Sequence, residues 1–316
     1  MPELLNVKDL RVYYRIPGAS VRAVDGLSFT VKKNEVFGIV GESGSGKTTL
    51  AVGILRLNKP PCFVESGEVI FDGEDILRIP EGRLRELRLT HLSYIPQSAM
   101  NALNPVLRVR DQLLDAMESH GMRRSEGQAR IKELLEMVGL PPEVAGMYPH
   151  ELSGGMKQRV IIAIATAMKP KLIVADEPTT ALDVVVQRRV LEFLLEIREK
   201  LGASLIVITH DIAVQAEIVD RLGVMYAGKM VEIGNVHDIF KDPLHPYTSG
   251  LMMSTPILGE KKALESIPGT PPSLINPPPG CRFHPRCPFA SEECKRMEPP
   301  FHEVGASRFV ACWRYK

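Results

Sequence analysis

A chain of 316 residues is long enough to bury a full core, with room for one large domain or two smaller ones. Hydrophobic residues make up 44% and charged residues 24%, and the net charge of +1 marks neither nucleic acid nor an acidic membrane surface as the main partner. The start, MPELLNVKDL, lacks the basic and apolar runs of a signal peptide, and VIIAIATAM (160–168) is about half the length that spans a bilayer. The chain is therefore expected to be soluble and cytoplasmic, with any membrane spans supplied by other chains.

The first seventy-odd residues hold short alternating segments, LRVYYR, LSFTVKK and GEVIFDG, broken by Gly, Asn and Asp. They predict antiparallel strands. Within them EVFGIV (35–40) is continuously apolar, as a strand buried on both faces must be. Next, VRDQLLDAMESH and EGQARIKELLEMVGL space apolar residues at three and four, predicting two helices, the second stopped by Pro141-Pro142. Two more buried strands, KLIVAD (171–176) and SLIVITH (204–210), alternate with amphipathic helix, which indicates a parallel sheet covered by helices. RLGVMYAGKMVEIG (221–234) reads as a hairpin turning at Ala227-Gly228. From Ser266 to Gly280 six of fifteen residues are proline, which predicts an extended linker before a cysteine-bearing tail. No internal repeat is visible.

GESGSGKTT (41–49) follows the buried strand EVFGIV and opens a helix, the context that G-x-x-x-x-G-K-[ST] requires. Its glycines let consecutive backbone N–H groups face phosphate oxygens, and the helix N-terminus adds partial positive charge. Lys47 is placed for the β and γ phosphates and the Thr48 hydroxyl for Mg²⁺; the competing reading is a glycine-rich turn with an incidental lysine. LIVADE (172–177) ends a buried strand with two acids, and in open parallel sheets ligands sit at such carboxyl ends. Asp176 is assigned to Mg²⁺, directly or through water, and Glu177 to orienting or deprotonating an attacking water. The strand SLIVIT also ends this way, at His210-Asp211, so His210 is read either as a contact to the γ-phosphate or as a structural histidine. LSGGMKQRV (152–160) puts Ser153-Gly154-Gly155 at the head of an apolar helix, a second anion-binding N-terminus. With a helical insertion between the two sites, two chains arranged head to tail are expected to close both on one nucleotide.

These motifs, with Gln97 and TALD (180–183), occur in an order that resembles the ATP-binding subunits of ABC transporters over about residues 4 to 255. The resemblance implies an α/β fold, a P-loop ABC ATPase with a parallel core sheet, an antiparallel β-subdomain and an inserted helical subdomain at about 100–155. The nucleotide-binding domain would be 1–255, and 256–316 a small C-terminal metal-cluster extension. It further implies ATP contacts from Gly41, Ser43, Gly44, Ser45, Gly46, Lys47, Thr48 and Thr49. Tyr14, rather than its neighbour Tyr13, would stack on adenine. Ser153, Gly154, Gly155 and Gln158 would reach the nucleotide of the facing chain, and Asp183 would lie at the dimer interface. Gln97 would sense Mg²⁺ and couple the site to a membrane partner.

HPYTSGLMMSTP (245–256) and the proline-rich run before GCRFHPRCPFA resemble the C-terminal part of the oligopeptide and dipeptide importers. That branch also includes carriers of nickel and of oligosaccharides. Its implied partners are two integral-membrane permease subunits, a second and different ATP-binding chain, and an extracytoplasmic solute-binding protein, with this chain peripheral on the cytoplasmic face. One departure is Thr180, where Ser is more usual. The rival readings are a soluble ABC protein acting on nucleic acid or ribosomes, disfavoured by a single cassette without a basic–aromatic patch, and an exporter ATPase.

Cys281, Cys287, Cys294 and Cys312 are separated by five, six and seventeen residues. A cytoplasmic setting favours a metal site over disulfides, and the spacing leaves open zinc, an iron–sulfur cluster or loosely packed thiols with no metal. The resemblance favours a [4Fe–4S] cluster, since some relatives in this branch carry one there. Its expected role is a structural staple for a tail too poor in apolar residues to form its own core, with redox sensing as the alternative. His284 is read as a substitute ligand or a turn residue, and Cys62 as an inert thiol.

Overall fold

A computed structural model describes residues 2–97, 102–180, 182–254, 267–305 and 307–315. By internal contacts the chain divides into two compact units, Met1–Leu77 with Ile208–Lys316, and Arg78–Val207. The first unit begins with β1 (Glu3–Ile16), β2 (Ala19–Lys32), β3 (Val36–Val40), α1 (Lys47–Ile54), β4 (Cys62–Phe71) and β5 (Glu74–Asp75). The alternating segments LRVYYR, LSFTVKK and GEVIFDG fall largely in β1, β2 and β4; β1 and β2 run 14 residues each, and their pairing is interrupted by register shifts such as that between Val7 and Leu10. Their apolar positions, including Leu5, Val7, Leu10, Val12, Val24, Leu27 and Val31, are buried, which fixes the register. These strands form an antiparallel sheet in the order β2-β1-β4-β5.

The second unit contains α2 (Glu81–Leu87), β6 (Leu92–Ile95), α3 (Val109–Glu118), α4 (Arg124–Met137), α5 (Gly154–Thr166), β7 (Leu172–Asp176), α6 (Val184–Leu201) and β8 (Ser204–Ile208), whose last residue crosses the division. β6 and β7 are parallel, and β8 lies next to β7. All five residues of β7 and of β8 are buried, as their continuous apolar runs require. α4 ends before the prolines expected to stop it. Gly139 (φ 64°) terminates it in a Schellman turn, with the Leu140 N–H on the Leu135 carbonyl at 2.8 Å and the Gly139 N–H on Glu136 at 3.0 Å.

The chain returns to the first unit with α7 (Ile212–Ile218), β9 (Arg221–Tyr226), β10 (Lys229–Asn235), α8 (Val236–Lys241), α9 (Pro246–Met253), α10 (Glu292–Arg296), β11 (His302–Gly305) and β12 (Arg308–Val310). The order there is β11-β12-β10-β9-β3, with β3 and β9 parallel and the rest antiparallel. The β9–β10 hairpin turns at Ala227 and Gly228, both at positive φ (47° and 79°), the conformation that matches the twist of the flanking strands.

The tail is seated differently from the expectation. β12 extends the first unit's sheet by pairing with β10, Glu232 opposite Val310 and Ile233 opposite Phe309. Phe283 is 2% exposed and packs against Tyr226 and Tyr247, with ring centroids 5.1 and 5.5 Å away. A tail that borrows its core from the larger body does not need metal bonds to be held. The linker lies against β2, where the Arg22 N–H donates to the Leu274 carbonyl at 2.9 Å. Residues 255–266, which include the boundary drawn at 255/256, the end of HPYTSGLMMSTP and Ser266, lie outside the described residues. So do 98–101 after Gln97 and Ala181 of TALD. No helix among the described residues is long and apolar enough to cross a membrane.

Candidate nucleotide site

In the first unit, buried β3 delivers the chain into the loop 41–46, and α1 begins at Lys47. Gly46 caps α1 at φ 101°, and a Cβ there would stand 1.9 Å from the Ala23 carbonyl oxygen, so only glycine fits. α1 has no side-chain cap and no acid in its first turn, which leaves its leading N–H groups and the positive end of its dipole to a ligand. Ser45 is 4% exposed, and its hydroxyl oxygen is buried with no hydrogen-bond partner among the described residues. An orphaned hydroxyl beside uncapped N–H groups fits a phosphate. Lys47 is buried, and its ammonium donates to the Gly41 carbonyl at 2.7 Å and the Glu42 carbonyl at 3.0 Å. Ser43 and Gly44 complete the loop, with nothing within 4 Å of a Cβ built on Gly44.

Tyr14 is half-buried, and its hydroxyl lies 3.0 Å from the Thr49 hydroxyl, which ties β1 to α1 and draws the Tyr14 side chain toward the loop. Burial raises its pKa. Tyr13 faces Asp25 instead, donating to the carboxylate at 2.6 Å; burial first, and then Asp25, push its pKa up to about 12. His210 is exposed, and the neighbouring Asp211 caps α7 by accepting from the Ala213 and Val214 N–H groups.

In the second unit, β7 ends at Asp176, which is fully buried and accepts from the Tyr94 hydroxyl at 3.2 Å. Burial, reinforced by that carboxylate, raises the Tyr94 pKa. The next residue, Glu177, takes φ 45°, a region that costs a non-glycine residue strain and persists where the surroundings enforce it. Its carboxylate accepts from the Thr180 hydroxyl at 2.7 Å and from the Gln97 amide at 3.2 Å. Gln97 and Glu177, eighty residues apart, are thus brought together. Asp176 and Gln97 in this unit carry oxygen donors of the type that suits Mg²⁺.

Ser153 caps α5, accepting from the Met156 N–H at 3.3 Å, and α5 opens at Gly154. A Cβ on Gly155 would stand 2.7 Å from the Val186 Cγ1, so glycine there lets the start of α6 approach. Gln158 is buried, and its amide nitrogen has no hydrogen-bond partner among the described residues. Asp183 caps α6 through the Val186 N–H at 3.0 Å, a local role beside the interface role assigned to it. Thr48 holds the second position of α1.

Several groups at these loops were not singled out from sequence. Thr180, the one departure from the family pattern, holds Glu177 through its hydroxyl. Tyr94 and Glu42 carry no motif of their own. Arg286 and Arg282 were legible only as charges flanking cysteines.

The four tail cysteines line one cavity in the first unit, with Phe289, Trp313 and Arg314 among its other walls. All five cysteines of the chain are free thiols, and burial pushes the Cys281 pKa up to about 11. The cavity has a volume of about 20 Å³, room for roughly one water, so a four-iron cluster would require its walls to part. Among the described residues no group of three or more His, Cys, Asp or Glu is placed to hold a metal ion. The expected [4Fe–4S] or zinc site is therefore not supported by this geometry. His284 is a turn residue, its ring Nδ1 2.9 Å from the Cys281 carbonyl oxygen.

Comparison with known proteins agrees with the geometry of the loops. A family described as ABC transporter matches residues 24–180, and one described as oligopeptide/dipeptide transporter, C-terminal region, matches 231–294. The dipeptide transport ATP-binding protein DppD of Caldanaerobacter subterraneus subsp. tengcongensis is 42% identical over 100% of this chain and 98% of its own length. The oligopeptide transport ATP-binding protein OppD of Bacillus subtilis is 44% identical over 98% of this chain and 88% of its own length. Among solved structures, a dimeric post-hydrolysis state of the ATP-binding cassette MJ0796 bound to ADP and Pi has a TM-score of 0.65 at 28% identity, covering 73% of this chain and 98% of that one.

Proposed function

Because this chain belongs to the ATP-binding subunits of ABC transporters, among those of dipeptide and oligopeptide transport, we propose that it hydrolyses ATP to power the import of di- or oligopeptides through a separate membrane permease. The observation that carries the ATP reading is the phosphate loop, with the orphaned Ser45 hydroxyl and buried Lys47 amine at the uncapped start of α1. The peptide reading rests on whole-length similarity to proteins of that description, and on the match at 231–294. Nickel and oligosaccharides remain the alternative cargoes within the branch.

Residues 1–255 are read as the nucleotide-binding domain and 256–316 as its extension. The loop N–H groups, Ser45 and Lys47 bind the phosphates, and Tyr14 offers its ring to the base. Asp176, Thr48 and Gln97 would hold Mg²⁺, which when bound neutralises phosphate charge. Glu177, held by Thr180 and Gln97, orients the attacking water and takes its proton; His210 faces the γ-phosphate. Ser153, Gly154, Gly155 and Gln158 serve the nucleotide of a second ATP-binding chain placed head to tail, and the unpartnered buried Gln158 amide supports that role. Val106 and Val185, 75% and 80% exposed, flank the Gln97 segment and Asp183, where the permease and the second chain are proposed to dock. The chain would act on the cytoplasmic face, with a solute-binding protein outside delivering cargo.

Reconstitution with its permease in vesicles tests this: ATP-dependent uptake of radiolabelled dipeptide supports the proposal, and uptake of nickel alone or of neither redirects it. Lys47→Ala should abolish both nucleotide binding and uptake.

A second, independent reading concerns the tail. The convergence of four cysteines on one cavity favours a shared role as metal ligands, while their spacing around about 20 Å³ argues against it as they stand. Iron, zinc and sulfide analysis after anaerobic purification decides: near four irons and four sulfides per chain supports a cluster, one zinc a zinc site, and none ends the metal reading.

A further inference from the structure

Glu42, the second residue of the phosphate loop, has every polar group engaged. Its carboxylate meets the Arg286 guanidinium in a fork, Nη1 to Oε2 at 2.8 Å and Nη2 to Oε1 at 2.9 Å. Its N–H donates to the Tyr247 hydroxyl at 2.8 Å. Its carbonyl accepts from the Lys47 ammonium at 3.0 Å and from the Ser45 N–H at 3.1 Å. Arg286 comes from the C-terminal extension and is 7% exposed. Its Nε donates to the Pro268 carbonyl at 2.8 Å and its Nη1 also to the Tyr226 hydroxyl at 3.2 Å. Tyr226 and Tyr247 pack together, centroids 4.5 Å apart, with Phe283 against both. The guanidinium is thus fixed from both sides before it reaches the loop.

We propose that Arg286 is a positioning residue for the phosphate loop, so that nucleotide affinity depends on the seating of the C-terminal extension. A bidentate guanidinium–carboxylate pair specifies orientation as well as proximity. By fixing the Glu42 side chain it fixes the peptide whose carbonyl holds Lys47 and Ser45, the two groups assigned to phosphate. Arg282 repeats the pattern on the preceding turn. It donates to the Asp25 carboxylate and to the Ala227 carbonyl, and the adjoining Gly228 N–H donates to the Ser45 carbonyl at 2.9 Å. Two arginines, each beside a cysteine of the tail cavity, therefore hold opposite ends of one loop. The proposal rests on the reading that this loop holds nucleotide.

The test is titration of the full chain with a fluorescent ADP analogue, using Arg286→Gln, Arg286→Lys, Glu42→Gln and the double Glu42→Gln/Arg286→Gln, with thermal melting beside it. Each glutamine variant should bind about tenfold more weakly at temperatures well below its melting point, with Arg286→Lys intermediate. The double variant should bind no more weakly than the worse single, because both changes break one interaction. In the assembled transporter KM for ATP should rise with kcat nearly unchanged. Binding within twofold of wild type in folded variants would overturn the proposal, leaving Arg286 a stabilising contact only. Losses that multiply in the double variant would overturn the route through Glu42. Should Arg286→Gln fail to fold, Arg286→Lys and Glu42→Gln carry the comparison. If the wild-type chain itself binds no ADP, the nucleotide reading falls first and this proposal with it.

Discussion

Glu177 sits at φ 45° with its carboxylate held by Thr180 and Gln97, a strained residue restrained on two sides. Glu177→Gln should leave ADP binding intact and lower turnover by about 10²- to 10⁴-fold, the usual contribution of a positioned base, as single-turnover hydrolysis would reveal. Thr180→Ala should lower turnover as well, whereas Thr180→Ser, which keeps the hydroxyl, should not. At Asp176 the question is stability. Tyr94→Phe deprives a fully buried carboxylate of a donor and should cost about 1–3 kcal/mol in urea unfolding. At this scale the sequence was legible in the placement of Asp176 at a buried strand end, which the apolar run LIVAD encodes. Thr180 was not, because its partner depends on the turn that Glu177 makes, and no residue type announces a positive φ at glutamate.

Elements were legible where local signals agree. Asp183 caps α6, and Gly202 closes it at φ 61° after Arg198 and Lys200 in the last turn, each a signal that sequence carries. Asp183→Ala should cost about 1 kcal/mol of stability, and Asp183→Ser should retain the cap, so any loss of turnover in the serine variant isolates the proposed interface role. Prolines 141 and 142 misled because Gly139 ends α4 first; a glycine after the last apolar position outranks a proline two residues on.

α9 is capped by His245, whose ring nitrogen accepts the Tyr247 N–H at 3.1 Å. The side chain is buried, and burial depresses its pKa to about 3. The unfolded residue titrates near 6.5. Above that pH neither state binds the proton, and the stability from neutral His245 is complete. As pH falls from about 6.5 toward 3 the unfolded state binds a proton that the folded state refuses, so stability declines. His245→Asn keeps a capping oxygen without the titration, and its melting temperature should fall less steeply over that window than that of wild type.

At the scale of the molecule, the sheet order of the first unit depends on a tail whose sequence is dominated by proline, cysteine and charge. β12 was invisible to periodicity because three residues make no pattern; it is defined by β10, which offers it an edge. A chain ending at residue 299 would lose β11 and β12 and uncover that edge. It should melt at lower temperature and aggregate on heating, by calorimetry and light scattering. The spacing of the cysteines suggested a metal site, and among the described residues no such ligand group forms, although all four border one small cavity. The placement of the turn that carries them depends on how Phe283, Arg282 and Arg286 are seated, which spacing does not encode.

Glu42 and Arg286 are 244 residues apart, so they leave the ribosome far apart in time. At about 5–20 residues per second the interval is roughly 10–50 s. Through that interval the nascent phosphate loop has its glycines, its lysine and its helix but lacks the guanidinium that fixes its second residue. Translation thus supplies the clamp long after the loop it holds, and on the proposal above a chain released before residue 286 would bind nucleotide more weakly.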